Sequence, residues 1–322
     1  MPHGEFRIAV KILISGGLGF VGSRIAEYLS LEGHKIILAS RNITTAPTWL
    51  PDAGVIEIDW NDMASLEKAC KGVDIVIHAA GMNARDCVAD PIGALNFNGK
   101  STGKFAKAAL NAGVARFIYI STAHVYSSKL TGFISEKNIP INTHPYATSH
   151  LAGENEILCL DQSKMWSIVI RLSNAFGAPK DLNANCWMLL INNLCKQAVQ
   201  TNKLVLKSSG LEFRDFISLE QVCRVIAAFT SSKIKPIGIN IFNLGTGTSK
   251  SIIEMARLVQ QRCEQVLNFE PELISSARSS RDHEHDFCYQ NSNLSLLGIE
   301  TDDRFNLDEI DNLLHFCNNN FS

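Results

Sequence analysis

A glycine-rich turn near the start of the chain limits the possible folds more than any other feature. Gly16-Gly17-Leu18-Gly19-Phe20-Val21-Gly22 follows an apolar run at 8–15 and precedes a stretch, 21–31, whose apolar residues Val21, Ile25, Tyr28 and Leu29 share one helical face. In a strand–G-x-x-G-x-x-G–helix unit each glycine has a mechanical task. Gly16 ends the strand, Gly19 lets backbone approach a pyrophosphate, and Gly22 lets the helix pack on the strand. Phe20 and Val21 open the helix, whose free N–H groups and positive dipole end face the same place. A tight turn of structural purpose is the alternative, but the strand before it and the helix after it favour a dinucleotide phosphate site.

The rest of the first half repeats the alternation. Apolar runs at 33–40, 55–59, 73–80, 116–122 and 167–172 read as strands, with helical patterns beginning near Asn61 or Asp62, spanning 91–112 up to Gly113, and beginning near Tyr146. Strands that are apolar throughout, not at every second residue, belong to a parallel sheet covered on both faces. The expected fold class is α/β: a Rossmann-type doubly wound parallel sheet with a smaller C-terminal α/β substrate lobe. The second half is less regular, with helices expected at 183–202, 219–231 and 249–263 and strands at 203–207 and 239–244. A division follows into a cofactor-binding domain at 1–172, to which 213–244 returns, and a mainly substrate-binding lobe at 173–322. The cleft between them is the default binding place.

Composition narrows the function classes. The 322 residues carry 30 Lys+Arg against 32 Asp+Glu, a formal net charge of −2, and 46% are hydrophobic. That excludes disorder for most of the chain, and it speaks against a nucleic-acid or membrane-surface binder, which carries a basic excess. No run of about 18 apolar residues occurs, and the N-terminus shows no signal-peptide cleavage pattern. Nine cysteines without a C-x-x-C pair point to reduced, mostly buried thiols, a cytoplasmic setting and no bound metal.

The end of the second strand bears on the cofactor. Dehydrogenases that select NAD usually place an acid there for the ribose 2′-hydroxyl, whereas this chain has Ser40 and then Arg41. Arg41 can pair with a 2′-phosphate, which favours NADP and leaves NAD possible. Asp59, followed by Trp60, is placed to accept from an adenine amino group; its bland alternative is helix capping.

Further motifs stand in order along the chain: His78-Ala79-Ala80-Gly81, Asn96-Phe97-Asn98-Gly99, Ser121-Thr122-Ala123-His124-Val125-Tyr126, Pro145-Tyr146-Ala147-Thr148-Ser149-His150, Arg171-Leu172-Ser173-Asn174-Ala175-Phe176-Gly177, Arg214-Asp215-Phe216-Ile217 and Asn243-Leu244-Gly245-Thr246-Gly247. With the glycine turn, they make the chain resemble, over nearly its whole length, an extended short-chain dehydrogenase/reductase of the nucleotide-sugar epimerase/dehydratase type. The resemblance implies a nicotinamide cofactor, also contacted by Ala79, Ala80 and Gly81, and a nucleotide-diphosphate-sugar substrate. It implies that Tyr146 is the general acid/base and that Thr122 bonds the reacting sugar oxygen. For the substrate it implies Asn83, Asn174, Arg214 and Arg281, with Arg278 the alternative to Arg281. A homodimer built on the helices at 91–112 and 146–162 is implied as well.

One departure stands out. Such enzymes carry a lysine four residues after the tyrosine, on the same helical face, that lowers the tyrosine pKa and binds the nicotinamide ribose. Here that residue is His150. His150 takes over the lysine's work, or the protein binds its ligands without efficient turnover, or the proton path is rebuilt with His124 or His78, which otherwise read as satisfied core histidines. The Asp-Glu pair of the 4,6-dehydratases is replaced by Ala123-His124, which disfavours dehydration. The leading expectation is therefore an epimerase acting by hydride transfer at a sugar carbon, C4 favoured. An NAD(P)H-dependent reductase of a keto-sugar and a catalytically impaired binding protein are the alternatives. His283 and His285, flanked by acids, read as a solvated loop and not as metal ligands.

Overall fold

The computed structural model describes residues 9–42, 45–276 and 287–322. Seven strands form the main sheet in the spatial order Ile241–Leu244, Trp166–Leu172, Arg116–Thr122, Ile75–His78, Lys11–Ser15, Lys35–Ser40, Gly54–Glu57. The ladders from Arg116–Thr122 across to Gly54–Glu57 are parallel, with Ile12 opposite both Ile36 and Ile75. Successive strand residues point to opposite faces, and Ile12, Leu13 and Ile14 are all fully buried, so both faces of the central strand are covered. The chain leaves that strand toward one edge and then returns to its other side with Ile75–His78. This reversal puts a topological switch point at the carboxyl end of Lys11–Ser15, where the glycine turn begins. The doubly wound parallel sheet expected from the sequence is present.

The chain divides into two compact units: Met1–Ser128 with Pro140–Arg171 and Val225–Phe242, and Lys129–Ile139 with Leu172–Arg224 and Asn243–Ser322. The first has a core around Leu13, Phe105, Phe117 and Val169. The second packs the helices Leu190–Thr201, Ile252–Leu267 and Asn306–Phe321 around Leu194, Phe216, Val259 and Leu313. It also holds a three-stranded sheet, in which Phe213–Ser218 pairs in parallel with Asn174–Phe176 and antiparallel with Ser249–Ser251. All nine cysteines are free, and seven are buried.

Three expected helices differ in their bounds, each for a physical reason. The span 91–112 divides into Pro91–Ala94, a π-helical stretch Leu95–Ser101, and Thr102–Asn111. Within that stretch the Asn98 carboxamide turns away to accept from the Met82 N–H at 2.8 Å and donate to Ser149 Oγ at 3.1 Å. The helix expected from 183 begins only at Leu190, because Asp181 Oδ1 takes the Asn183 N–H at 2.7 Å and holds a turn. The helix expected at 249–263 runs Ile252–Leu267, set by a capping box of Ser251 and Glu254, with Ser249–Ser251 spent on a strand.

Candidate active site

The turn at Gly16–Gly22 is built by close contacts that exclude side chains. Gly16 sits at φ +70°, and a Cβ there would lie 2.5 Å from Ala80 N. A Cβ on Gly22 would lie 2.3 Å from Gly16 O, while the Gly19 N–H donates to that same oxygen at 2.9 Å. Gly19 caps the helix Phe20–Leu31 with extended backbone and no side-chain acceptor, so the first N–H groups of the helix are left to a ligand. The turn thus touches Ala79 and Ala80, which leave the fourth strand of the sequence. These features fit the pyrophosphate of a dinucleotide.

A cleft of about 680 Å³ lies in the same unit, lined by Arg41, Glu57, Asp59, Trp60, Lys68, Asn96 and Phe97, among others. No acid follows Ser40 in sequence, yet the sheet register sets Glu57 of the next strand directly opposite it. The cleft therefore combines two cations with two carboxylates. Asp59 is not the cap of the following helix: Asp62 takes that place, accepting from Ala64 N at 3.0 Å. Asp59 Oδ1 instead accepts from the Asn61 N–H at 2.8 Å. Trp60 packs on Phe97 and His78, with centroids 5.2 and 5.6 Å away.

Tyr146 is fixed by helix-start chemistry. Pro145 supplies the preset first turn, and His144 caps it, its Nδ1 accepting the Tyr146 N–H at 3.2 Å. Thr122 closes the strand Arg116–Thr122, and its Oγ accepts the His124 N–H at 3.1 Å. A hydrogen bond joins the Thr122 hydroxyl to the Tyr146 oxygen and pulls the Tyr146 pKa down, in the direction of the phenolate. Burial outweighs it and pushes the Tyr146 hydroxyl up to about 12, with a smaller push from the Cys87 thiol.

His150 follows on the same helix and is buried, its Nδ1 2.9 Å from the Tyr119 hydroxyl. Burial brings its pKa down to about 4, so the imidazole is neutral at pH 7. His78 is a satisfied core residue, with Ser15 Oγ 2.6 Å from Nδ1 and Thr102 Oγ1 2.8 Å from Nε2. Two turns beyond Tyr146 on its helix, Glu154 forms a bidentate bond with Arg171, 2.6 Å at the closest, and the Arg171 guanidinium lies 4.7 Å over the Tyr126 ring. Glu154 also accepts from Ser121 Oγ at 2.5 Å, so the strand before Thr122 is tied to the helix of Tyr146. Both partners were legible as anomalies: Arg171 interrupts an apolar strand, and Glu154 sits four residues beyond His150.

The second unit holds the remaining candidates. Asp215 is fully buried, and its carboxylate accepts from Ser173 Oγ at 2.6 Å, Thr246 N and Oγ1 at 3.0 Å, and Gly247 N at 2.9 Å. Burial nonetheless raises it to about 6, against the pull of those donors. Arg214 does not pair with Asp215; it points outward, 41% exposed, 3.3 Å from Glu212. Asn174 donates to the Asp215 carbonyl at 2.9 Å. In the first unit, Asn83 caps the short helix Ala84–Ala89 through Asp86 N at 3.0 Å. Arg278, Arg281, His283 and His285 lie outside the described residues.

The model of the NAD-dependent epimerase/dehydratase family matches residues 12–245. The UDP-glucose 4-epimerase of Neisseria meningitidis serogroup C is 27% identical over 274 residues, 77% of this chain and 80% of its own. The dTDP-D-glucose 4,6-dehydratase of Mus musculus is 26% identical over 314 residues, 88% of this chain and 81% of its own. Among solved structures, MoeE5 in complex with UDP-glucose and NAD superposes with a TM-score of 0.78 at 20% identity, over 97% of this chain and all of that one.

Proposed function

Since the chain belongs to the NAD-dependent epimerase/dehydratase family, we propose that it is a nucleotide-diphosphate-sugar epimerase that inverts a sugar carbon, C4 in the first instance. The Thr122–Tyr146 hydrogen bond carries this reading. Members of the family are NAD-dependent epimerases and dehydratases. In this reading the first unit binds the dinucleotide and the second the substrate.

Gly16, Gly19, Phe20, Val21 and Gly22 hold the pyrophosphate, Ser40, Arg41, Asp59 and Trp60 the adenosine, and Ala79, Ala80, Gly81, Tyr146 and His150 the nicotinamide ribose. A bound nicotinamide would supply the hydride chemistry, in which inversion needs the hydride taken from one face of the sugar carbon to be returned to the opposite face of the ketone. Tyr146, as its phenolate, takes the proton of the reacting hydroxyl and returns it, and Thr122 holds the same oxygen in place. Asn174 and Arg214 meet the diphosphate, with Asn83 nearer the sugar and Arg281 a further cation. The UDP and dTDP sugars in the names of the relatives support that substrate class. A homodimer is part of the proposal, supported by the exposed apolar Val88, Ile92 and Leu95 at 55, 75 and 44%, and light scattering tests it.

A second reading has its own observation. Tyr146 is protonated at rest and its neighbour His150 is neutral, which suits a proton donor to a keto-sugar oxygen. Arg41 and Lys68 in one cleft suit the 2′-phosphate of NADPH. Incubating UDP- and dTDP-hexoses with the protein and following them by NMR tests the epimerase: it predicts the C4 epimer without net change in the nicotinamide. Consumption of NADPH with a keto-sugar establishes the reductase instead. Neither product from any sugar, with NAD bound, establishes the impaired binding protein.

A further inference from the structure

We propose that Tyr119 is the positioning residue for His150, holding it as the Nε2–H tautomer so that a neutral imidazole offers the ribose a hydrogen-bond donor where a lysine would offer a cation. The proposal rests on the reading of His150 as a cofactor-binding residue. Its basis is a chain of hydrogen bonds through the first unit. Ser15 Oγ lies 2.6 Å from His78 Nδ1, and His78 Nε2 lies 2.8 Å from Thr102 Oγ1. Thr102 bonds the Tyr119 hydroxyl, which lies 2.9 Å from His150 Nδ1. All five residues are buried. The rings of His78, Tyr119 and His150 stack in sequence, 5.4 and 5.9 Å apart with 22° between planes at each step.

Because a neutral imidazole carries one N–H and each hydroxyl one hydrogen, only one direction of this chain gives every hydroxyl hydrogen in it an acceptor within it. Run outward, Ser15 donates to His78 Nδ1, His78 Nε2–H to Thr102, Thr102 to Tyr119, and Tyr119 to His150 Nδ1. Every inner hydrogen then has an acceptor, and His150 is left with its hydrogen on Nε2. Run inward, the Ser15 hydrogen must seek another acceptor in a fully buried place, which is costly. The outward direction is therefore the consistent one.

The free edge of His150 faces Gly81. A Cβ there would lie 3.6 Å from His150 Cε1 and 3.7 Å from Nε2, so position 81 leaves room beside the donor. At its other end the chain begins at Ser15, next to Gly16 of the phosphate turn. One hydrogen-bond chain thus joins the two places assigned to opposite ends of the dinucleotide.

Nitrogen-15 NMR of histidine-labelled protein without ligand tests the assignment. His150 is expected as Nε2–H in the wild type, and Nδ1–H there overturns the proposal. Tyr119→Phe keeps the stacked ring but removes the hydroxyl. It is expected to mix the tautomers and weaken NAD binding about tenfold, the worth of one hydrogen bond. Thr102→Val breaks the chain one link earlier and is expected to shift the His150 signals too, which covers a Tyr119→Phe protein that does not fold. Unchanged His150 signals in either folded variant, or changed signals with unchanged NAD affinity, overturn the positioning role. A wild type that shows the Nε2–H form yet binds no NAD instead refutes the cofactor reading on which the role depends.

Discussion

The His150 ring meets the Tyr146 ring edge-on, with centroids 4.6 Å apart and planes at 64°, and it does so without a charge. Proximity to the tyrosine is thus preserved at position 150 while the electrostatic help is not. Tyr146 keeps a hydroxyl pushed up to about 12. Restoring a cation by His150→Lys should lower it, since an opposite charge a few ångströms away is worth one to three pKa units. The rising, acid-side limb of the kcat/KM profile, on which Tyr146 loses its proton to act as the base, is expected to move at least about one pH unit toward acid. An unmoved limb in an active variant shows that position 150 does not tune Tyr146.

Two buried neutral histidines should make stability fall in mild acid. His150 and His78 are held down to about 4 and about 3, below the ordinary 6.5. Between those values the unfolded chain binds more protons than the folded one, so stability rises with pH there and is lost as pH drops below 6.5. From pH 8 to 5.5 the pair costs about 3 kcal/mol. Asp215, raised to about 6, works in the opposite sense: it favours the folded chain by about 1 kcal/mol at pH 5.5 and loses that as pH rises. Urea unfolding should show a net loss of about 2 kcal/mol in the wild type at pH 5.5. In His150→Gln about 1.4 kcal/mol of that loss should vanish; equal losses in both proteins would contradict the buried-neutral assignment.

Cofactor choice turns on the cleft that Arg41 and Lys68 share with Glu57. Arg41→Ala should weaken NADP binding about tenfold and leave NAD nearly unchanged, as expected for a partly solvated phosphate contact. Calorimetric titration of both dinucleotides checks this. Equal weakening of the two would make Arg41 a general adenosine contact and remove the preference for NADP.

Much of this was legible in the sequence because it is local. Gly22 is required by contacts under 3 Å to Gly16 within one strand–turn–helix unit, and the glycine spacing announces that unit. Tyr146, Thr122 and His150 stand in short motifs that the fold places together. What was not legible depends on which strand lies beside which. Glu57 comes to line the cleft with Arg41 only through its register opposite Ser40. Tyr119 reads as one more apolar strand residue until the helix carrying Gly153 closes on it, where a Cβ would lie 3.0 Å from the Tyr119 hydroxyl. The π-helical stretch at Leu95–Ser101 escapes a periodicity argument for a similar reason, since it is held by side-chain bonds from Asn98 to residues far along the chain.

Whether the Tyr146 oxygen moves the proton is decided by Tyr146→Phe. The variant removes one oxygen and leaves the ring against His150. Turnover of the nucleotide sugar that the wild type converts should be measured beside NAD affinity. A proton carrier at this oxygen gives a fall in kcat of about 10²- to 10⁴-fold with NAD binding unchanged. Turnover close to wild type would contradict it.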